Sequence, residues 1–322
     1  MTQNQTSRTL KHTSVMKDQA VDALNIDPTG LYVDATYGRG GYSESIMNRL
    51  NQHGALIAFD KDREAYEHAH KKYHNDARFK IFQTSFKSLS QVLREYYHGR
   101  KINGIVFDLG ISSPQIDDPK RGFSFSKNGP LDMRMNQDEG DSAAEWLKKA
   151  TEKEIADVLK VYGEEKFSRK IASAIVLSRS SEKSLQTTKD LSDLIRNTVP
   201  FYEKTKDPST RSFQAIRIFI NNEIEDIRDI CEQLPLILSD HGRVVFVSFQ
   251  SIEHRVIKQF IKKVTAGNES FDSLSGLIGP IKKPSFKRIG KATQVSNDEV
   301  MDNRRSRSAW MRVLEKLSCQ DT

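Results

Sequence analysis

The sequence predicts an α/β protein whose open, mostly parallel sheet is interrupted by an all-helical insertion. Short apolar runs that end in a polar or acidic residue recur at 32–34, Ala55–Asp60, Phe79–Gln83 and Ile102–Asp108, with helical stretches following; this is the rhythm of βαβ units. Between 109 and 240 there is no strand signal, whereas helix start signals repeat. A fifth apolar run at 243–249 then resumes the sheet. The chain divides accordingly into a first sheet part over 1–140, a helical insertion over 141–212 and a second sheet part over 213–322. An insertion of this kind is expected to act as a lid or substrate platform.

Composition narrows the class. The 322 residues, 37% hydrophobic and 29% charged, can bury a sizeable core. No apolar run approaches the ~20 residues of a membrane span, and Met1-Thr2-Gln3-Asn4-Gln5-Thr6 lacks the apolar core of a leader. A cytoplasmic protein with no membrane partner is therefore expected. Cys231 and Cys319 are too few and too far apart for a disulfide framework or a thiolate metal cluster, which implies a reducing compartment. A net charge of +7 and a pI near 9.2 favour a polyanionic partner, most simply nucleic acid.

Taken in order, His12-Thr13-Ser14-Val15 leads into a helix over 17–24, with His12 facing a ligand or packing locally. Tyr32-Val33-Asp34-Ala35-Thr36-Tyr37-Gly38-Arg39-Gly40-Gly41-Tyr42-Ser43 is a buried strand turning sharply into a helix. Glycine is required where the chain adopts angles that a Cβ forbids and where a ligand lies on the backbone, so Gly40 and Gly41 mark a cofactor cradle. Alone, the motif also suits NAD or FAD. The second strand ends at Asp60, about 20 residues beyond the glycines, the spacing at which a carboxylate reaches a ribose hydroxyl. The alternative for Asp60 is a helix N-cap. In the helix that follows, His70 and His74 share a face at a spacing that can hold zinc, but no acid or cysteine completes the set, and no metal is expected.

Phe86 follows the third strand, where an open α/β sheet binds ligands, and is placed either beside a purine or in the core. The fourth strand ends at Asp108 and runs into Leu109-Gly110-Ile111-Ser112-Ser113-Pro114-Gln115. In an adenosylmethionine enzyme this edge faces donor and acceptor, so Asp108, Ser112, Ser113 and Pro114 form the best catalytic neighbourhood. Transfer to an exocyclic base amine needs alignment and hydrogen-bond acceptors rather than a covalent nucleophile. Attack at ring C5 would want a cysteine near these loops, and neither cysteine is there.

The turn-rich loop over 117–135 is basic and aromatic, a composition suited to stacking unpaired bases and pairing phosphates, with Arg121, Phe123, Asp132 and Arg134 as its substrate candidates. Ser142-Ala143-Ala144-Glu145 and Thr151-Glu152-Lys153-Glu154 are capping boxes, Gly163 is a C-cap candidate, and helices are expected over 164–177 and 188–197. Asp207-Pro208-Ser209-Thr210 opens one long helix with Phe213, Ile216, Ile220, Ile224, Ile227 and Cys231 on one face. Arg211, Gln214, Arg217 and Asn221 lie off that stripe, either toward an acceptor or on a solvated face. Ser248, Glu253 and Arg255 follow the fifth strand as further candidates, with capping and ion pairing as the alternative. Basic stretches over 282–289 and 303–314, around two strand-like pieces, would contact phosphates.

Read together, Asp34-Ala35-Thr36 with Gly38, Gly40 and Gly41, Phe107-Asp108-Leu109-Gly110-Ile111-Ser112-Ser113-Pro114-Gln115-Ile116-Asp117, Arg121-Gly122-Phe123-Ser124-Phe125, Gly129-Pro130-Leu131-Asp132-Met133-Arg134-Met135, Tyr162-Gly163-Glu164-Glu165, Phe213-Gln214-Ala215-Ile216-Arg217-Ile218 and Arg305-Ser306-Arg307-Ser308-Ala309 resemble the RsmH (MraW) family over nearly the whole chain. The resemblance implies a Rossmann-like class I S-adenosylmethionine-dependent methyltransferase sheet with an inserted all-helical substrate domain. It also implies methylation of the N4 amine of a cytidine in the decoding region of 16S rRNA within the small ribosomal subunit. Carried over by position, cofactor contacts fall on Gly40, Gly41, Tyr42, Asp60, Phe86, Asp108 and Gln115. Two positions depart from the family: Tyr42 stands where it usually has His, and Asn303-Arg304-Arg305 stands where it has Asn-Pro-Arg. On the residues alone, another RNA or a small molecule as acceptor, a nonenzymatic ribosome-assembly role and a homodimer all stay open.

Overall fold

A computed structural model describes residues 14–180, 185–200, 207–266 and 283–318. The apolar runs are strands: β1 (Leu31–Asp34), β2 (Ala55–Asp60), β3 (Phe79–Gln83), β4 (Ile102–Asp108) and β5 (Leu238–Ser248), with β6 (Phe286–Arg288), β7 (Thr293–Gln294) and β8 (Trp310–Lys316) near the end. They form one sheet in the order β3-β2-β1-β4-β5-β8-β6, with β7 also paired to β8. The first five strands are parallel, and β8 runs antiparallel to β5, β6 and β7. Chain order reverses between β1 and β4, so the crevice of this Rossmann-like sheet opens at their carboxyl ends.

Both faces of the sheet are covered, which explains why its strands are continuously apolar. Alternate residues divide between two cores, as a period of two requires. Val33, Ile57, Phe107, Val244 and Phe246 pack on one side, and Tyr32, Leu56, Val106, Val245 and Val247 on the other. Helices α1 (Lys17–Ala23) and α2 (Gly41–Met47) cover the second group, while α3 (Arg63–Tyr73) lies against β2 and β3. Helix α4 (Leu89–Tyr97) lies over the first, and the one-turn α5 (Ser113–Asp117) follows β4.

Helices α6 (Ala143–Lys149), α7 (Glu152–Gly163), α8 (Ser168–Ser180) and α9 (Thr188–Thr198) surround a separate apolar cluster that includes Leu147, Leu159, Ile175 and Leu191. Capping boxes at Ser142 and Thr151 start α6 and α7 as their sequences require. Gly163 is the last residue of α7 rather than its cap; the left-handed residue is Glu164, at φ 51°. Glycine is needed at 163 for contact, because a Cβ there would lie 2.5 Å from the Arg211 carbonyl oxygen.

The expected single helix from Ser209 onward is two, α10 (Ser209–Ile220) and α11 (Glu223–Ile237). The break has a local cause: Asn222 sits at φ 52°, a left-handed conformation that asparagine tolerates. The apolar stripe therefore serves two cores, Phe213 and Ile216 in the helical cluster and Ile224, Ile227 and Cys231 against the sheet. Helix α12 (Ser251–Thr265) returns to the sheet, and α13 (Asn297–Asp302) precedes β8. Among the described residues no helix is long and apolar enough to cross a membrane. His12, Lys282 and Cys319 lie outside the described residues.

Replacing Gly163 with alanine should push α7 away from α10 and cost roughly 1–3 kcal/mol, the usual penalty of overpacking. Urea unfolding checks this, and an unchanged midpoint would remove the close-contact explanation.

Candidate active site

The carboxyl ends of β1, β2 and β4 open into two adjoining cavities of about 300 and 60 Å³ that share Thr36, Asp60, Leu109 and Gly110. The glycine turn shapes one wall. Gly40 adopts φ 77°, and a Cβ on it would lie 2.5 Å from the Tyr37 hydroxyl oxygen. At Gly41 a Cβ would overlap the Ser14 side chain. Both glycines lie just behind the lining, which Gly38, Arg39 and Tyr42 supply. Tyr42 is buried, and its hydroxyl donates to the Val15 carbonyl, tying α2 to the segment before α1.

Asp60 holds the turn. Its Oδ2 accepts the Gly38 N–H at 2.8 Å and its Oδ1 the Asp62 N–H at 2.9 Å. The N-cap of α3 is Asp62, which accepts from the Glu64 N–H, so capping does not occupy Asp60. Asp34 lies beside it, fully buried, accepting from the Ser43 hydroxyl at 2.7 Å. Burial pushes the carboxyls of Asp34 and Asp60 up to about 6. Asp108 donates its N–H to Thr36 Oγ1 at 2.8 Å, and its own Oδ1 is buried without a hydrogen-bond partner among the described residues. Burial, with Asp34 and Glu253 nearby, holds the Asp108 carboxyl well above the ordinary carboxylate range.

Ser112, Ser113 and Gln115 line the larger cavity, whereas Pro114 does not and sits in the first turn of α5. Gln115 is buried between two partners, accepting the Ser112 N–H at 3.0 Å and donating to Asp62 Oδ2 at 2.8 Å. Phe86 lines the smaller cavity while packing edge-on against Phe107 at 5.3 Å.

The loop candidates lie away from both cavities. Arg121 is buried and donates to Asp62 Oδ2 at 2.7 Å and to the carbonyls of Arg134 and Met135. Phe123 is buried in the helical cluster, with the Arg121 guanidinium 5.7 Å from its ring. Asp132 and Arg134 form a two-pronged ion pair at 2.8 and 2.9 Å. None of the four lines either cavity; their charges and ring brace the loop. On α10, Arg211 and Gln214 are half-exposed and also line neither cavity. Arg217 does line the larger one, with Nε and Nη2 committed to Glu223 at 2.8 and 2.9 Å. Ser248 and Glu253 are buried, Glu253 accepting the N–H groups of Phe249 and Gln250, and Arg255 pairs with Glu164 on the surface.

Sequence reasoning gave no site role to Thr36 or Asp62 and placed Arg305 only within a basic stretch. Thr36 stood within the quoted motif, and Asp62 two residues past Asp60. Arg305 lines the cleft and reaches Asp117 Oδ1 at 2.7 Å, a pairing between distant segments that no local pattern announces.

The MraW methylase family model matches residues 9–317. A protein of Marinomonas sp. (strain MWYL1) named ribosomal RNA small subunit methyltransferase H is 46% identical over 312 residues, covering 96% of this chain and 98% of its own. One of the same name from Idiomarina loihiensis is 44% identical over 308 residues, covering 95% and 97%.

The cleft fits S-adenosylmethionine, which carries a sulfonium and an ammonium. Its floor is acidic and Asp108 has an unspent acceptor among the described residues. Raised carboxyls have a pH consequence. Asp34 and Asp60 at about 6 and Glu253 at about 7 lie above their unfolded values, so the stability they contribute is full below about pH 4 and is lost as pH rises through 6 to 7. A cationic donor needs the ionised form, so its affinity should be roughly tenfold weaker at pH 5 than at pH 8, and Asp60→Asn should remove most of that dependence. Titration calorimetry across this range tests both; a flat profile in the wild type would refute the role of Asp60. Arg121→Met should cost about 3–5 kcal/mol, because Asp62 is left buried without its cation, and chemical denaturation would show it.

Proposed function

The chain belongs to the MraW methylase family, and from that premise we propose that it methylates small-subunit ribosomal RNA, at the exocyclic N4 amine of a cytidine in the decoding region of 16S rRNA. That it is an S-adenosylmethionine-dependent methyltransferase comes with the family. The acceptor is the proposed part. The observation that carries it is Asp108: a buried carboxylate with one unspent oxygen, at the end of β4, followed directly by the hydroxyl-bearing turn at Ser112 and Ser113.

The donor supplies an electrophilic methyl group on a sulfonium. Asp60 and the turn at Gly38, Gly40 and Gly41 hold the nucleoside, with Phe86 against the base. Tyr42 fixes α2, and Gln115 fixes the Ser112 turn through Asp62. Asp108, Ser112 and Ser113 would accept hydrogen bonds from the acceptor amine and keep its lone pair in line with the methyl carbon, with Pro114 stiffening the turn. Rate then comes mainly from alignment in a partly desolvated site. Arg217, at the cleft wall, would contact the acceptor nucleotide, and the helical insertion over 141–212 would support the RNA as a substrate domain. A ribosomal substrate would make the protein cytoplasmic.

Incubating the protein and donor with small subunits lacking the modification should yield N4-methylcytidine in 16S rRNA by nucleoside mass spectrometry. Asp108→Asn should lower kcat by about 10²-fold, in the range for a positioned proton-accepting group. Methyl transfer to carbon or to free nucleosides instead would overturn the acceptor assignment.

A further inference from the structure

A second concavity, of about 730 Å³, lies outside the cleft, between α12 and the antiparallel strands β6 and β8. Among the described residues its lining contains five cations, Lys258, Lys262, Arg288, Lys291 and Arg312, and no carboxylate. The two lysines stand one turn apart on α12 and so share a face. They, Arg288 and Lys291 are exposed and form no ion pair among the described residues. Elsewhere on the surface Arg63, Lys149, Arg196 and Arg228 are each paired with an acid.

Arg312 is the sharper observation. It is only 9% exposed, yet its single described polar contact is His254 Nδ1 at 3.4 Å, and its guanidinium lies 5.8 Å from the Trp310 ring. His254 does not neutralise it, since an imidazole is neutral or cationic and never an anion; burial and the charges of Arg312 and Lys258 push this one down to about 4. A buried guanidinium without a carboxylate, opening into a groove of further cations, is a site that lacks its anion.

The groove begins beside the cleft. Trp310 pairs in register with Ser248 at the carboxyl end of β5, Ser248 Oγ lies 2.8 Å from His254 Nδ1, and the next residues, Phe249 and Gln250, line the larger cavity. From there the cations continue along α12 to Lys262 and across to Arg288. Four of the five cations come from three elements, α12, β6 and β8, rather than from one loop, a spread that suits a chain of phosphates better than one small anion. We propose that this groove is a track for the sugar–phosphate backbone of the RNA substrate leading away from the active site, with Trp310 as a stacking surface near its entrance. The proposal rests on the reading of the acceptor as ribosomal RNA.

Its test is the triple variant Lys258→Glu/Lys262→Glu/Arg288→Glu of the full chain, with Lys258→Gln/Lys262→Gln/Arg288→Gln as the milder control. Affinity for a fluorescein-labelled 16S rRNA fragment and for small subunits would be measured over a KCl series, beside donor affinity and methyl transfer. RNA affinity should fall at least tenfold in the Glu variant and by less in the Gln variant. The log–log salt slope should shrink by about 2 for three lost single-strand contacts, with donor affinity unchanged. RNA affinity and slope equal to wild type would overturn the proposal. So would a loss confined to assembled subunits with naked rRNA still bound, which would assign the groove to a ribosomal protein. If wild-type protein binds rRNA through the groove but transfers no methyl group, the reaction proposed above falls and the track stands; efficient transfer by the Glu variant with unchanged KM for rRNA does the reverse.

Discussion

Three carboxylates at the ends of neighbouring parallel strands, with only backbone amides and hydroxyls against them, set the terms for the rest of this molecule. Asp34, Asp60 and Asp108 gather at one edge because β1 lies between β2 and β4 in parallel, with Asp34 opposite Ala58 and Val106, each two residues before the other two carboxylates. Close together and desolvated, they repel, and among the described residues no arginine or lysine pairs with any of the three. What keeps them is donation from fixed groups: the Gly38 and Asp62 N–H to Asp60, and the Ser43 hydroxyl to Asp34. The glycine turn is thus a brace for buried charge. A cationic methyl donor completes the arrangement, since its charge is the one this edge lacks.

A second consequence concerns the join between sheet and helical insertion. Asn221 ends α10 by donating to the Met133 carbonyl at 2.7 Å and accepting the Met135 N–H at 2.7 Å, which fastens the long loop to the helix break. Just beyond, Asp226 on α11 meets Lys61, the residue after Asp60, at 2.5 Å, and accepts from Ser85 beside Phe86. Asp62, Gln115 and Arg121 form a third tie. The cleft walls are held to the strand ends by buried polar contacts rather than by apolar packing alone. Such contacts have direction, so they fix the distance and angle between donor site and acceptor turn as grease would not.

The strand ends were legible because burial on both faces leaves a continuous apolar run, and a carboxylate closing such a run is conspicuous at Asp60 and Asp108. Spacing alone separated Asp60 from the glycines by the reach of a ribose, and the structure removes the competing cap by giving that task to Asp62. The loop over 117–135 was opaque for a physical reason. Composition reports that Arg121, Phe123, Asp132 and Arg134 are present, but an arginine looks the same in sequence whether it faces phosphate or a carboxylate folded back onto it. The partner of Arg121 lies 59 residues away and that of Arg305 lies 188 residues away, and no periodicity encodes such pairs. The break between α10 and α11 hid similarly, since an apolar stripe of period 3.6 continues across Asn221 and Asn222 although its two halves serve different cores.

The charge of +7 is unevenly used. Acidic groups collect on the cleft floor, where water is scarce and a small cation gains most. Unpaired lysines and arginines collect on the neighbouring open groove, where a long polyanion can be held by many weak, screened contacts. Reversing this arrangement would defeat both tasks, since a basic floor would repel the sulfonium and an acidic rim would repel the phosphates. Ser248 and Phe249 at the end of β5 mark the boundary, the first touching His254 on the groove side and the second lining the cleft. An RNA strand lying along the groove would bring its bases to the edge of the acidic pocket while its phosphates stayed outside. An exocyclic amine, neutral and a hydrogen-bond donor, is the part of a nucleotide best suited to cross that boundary.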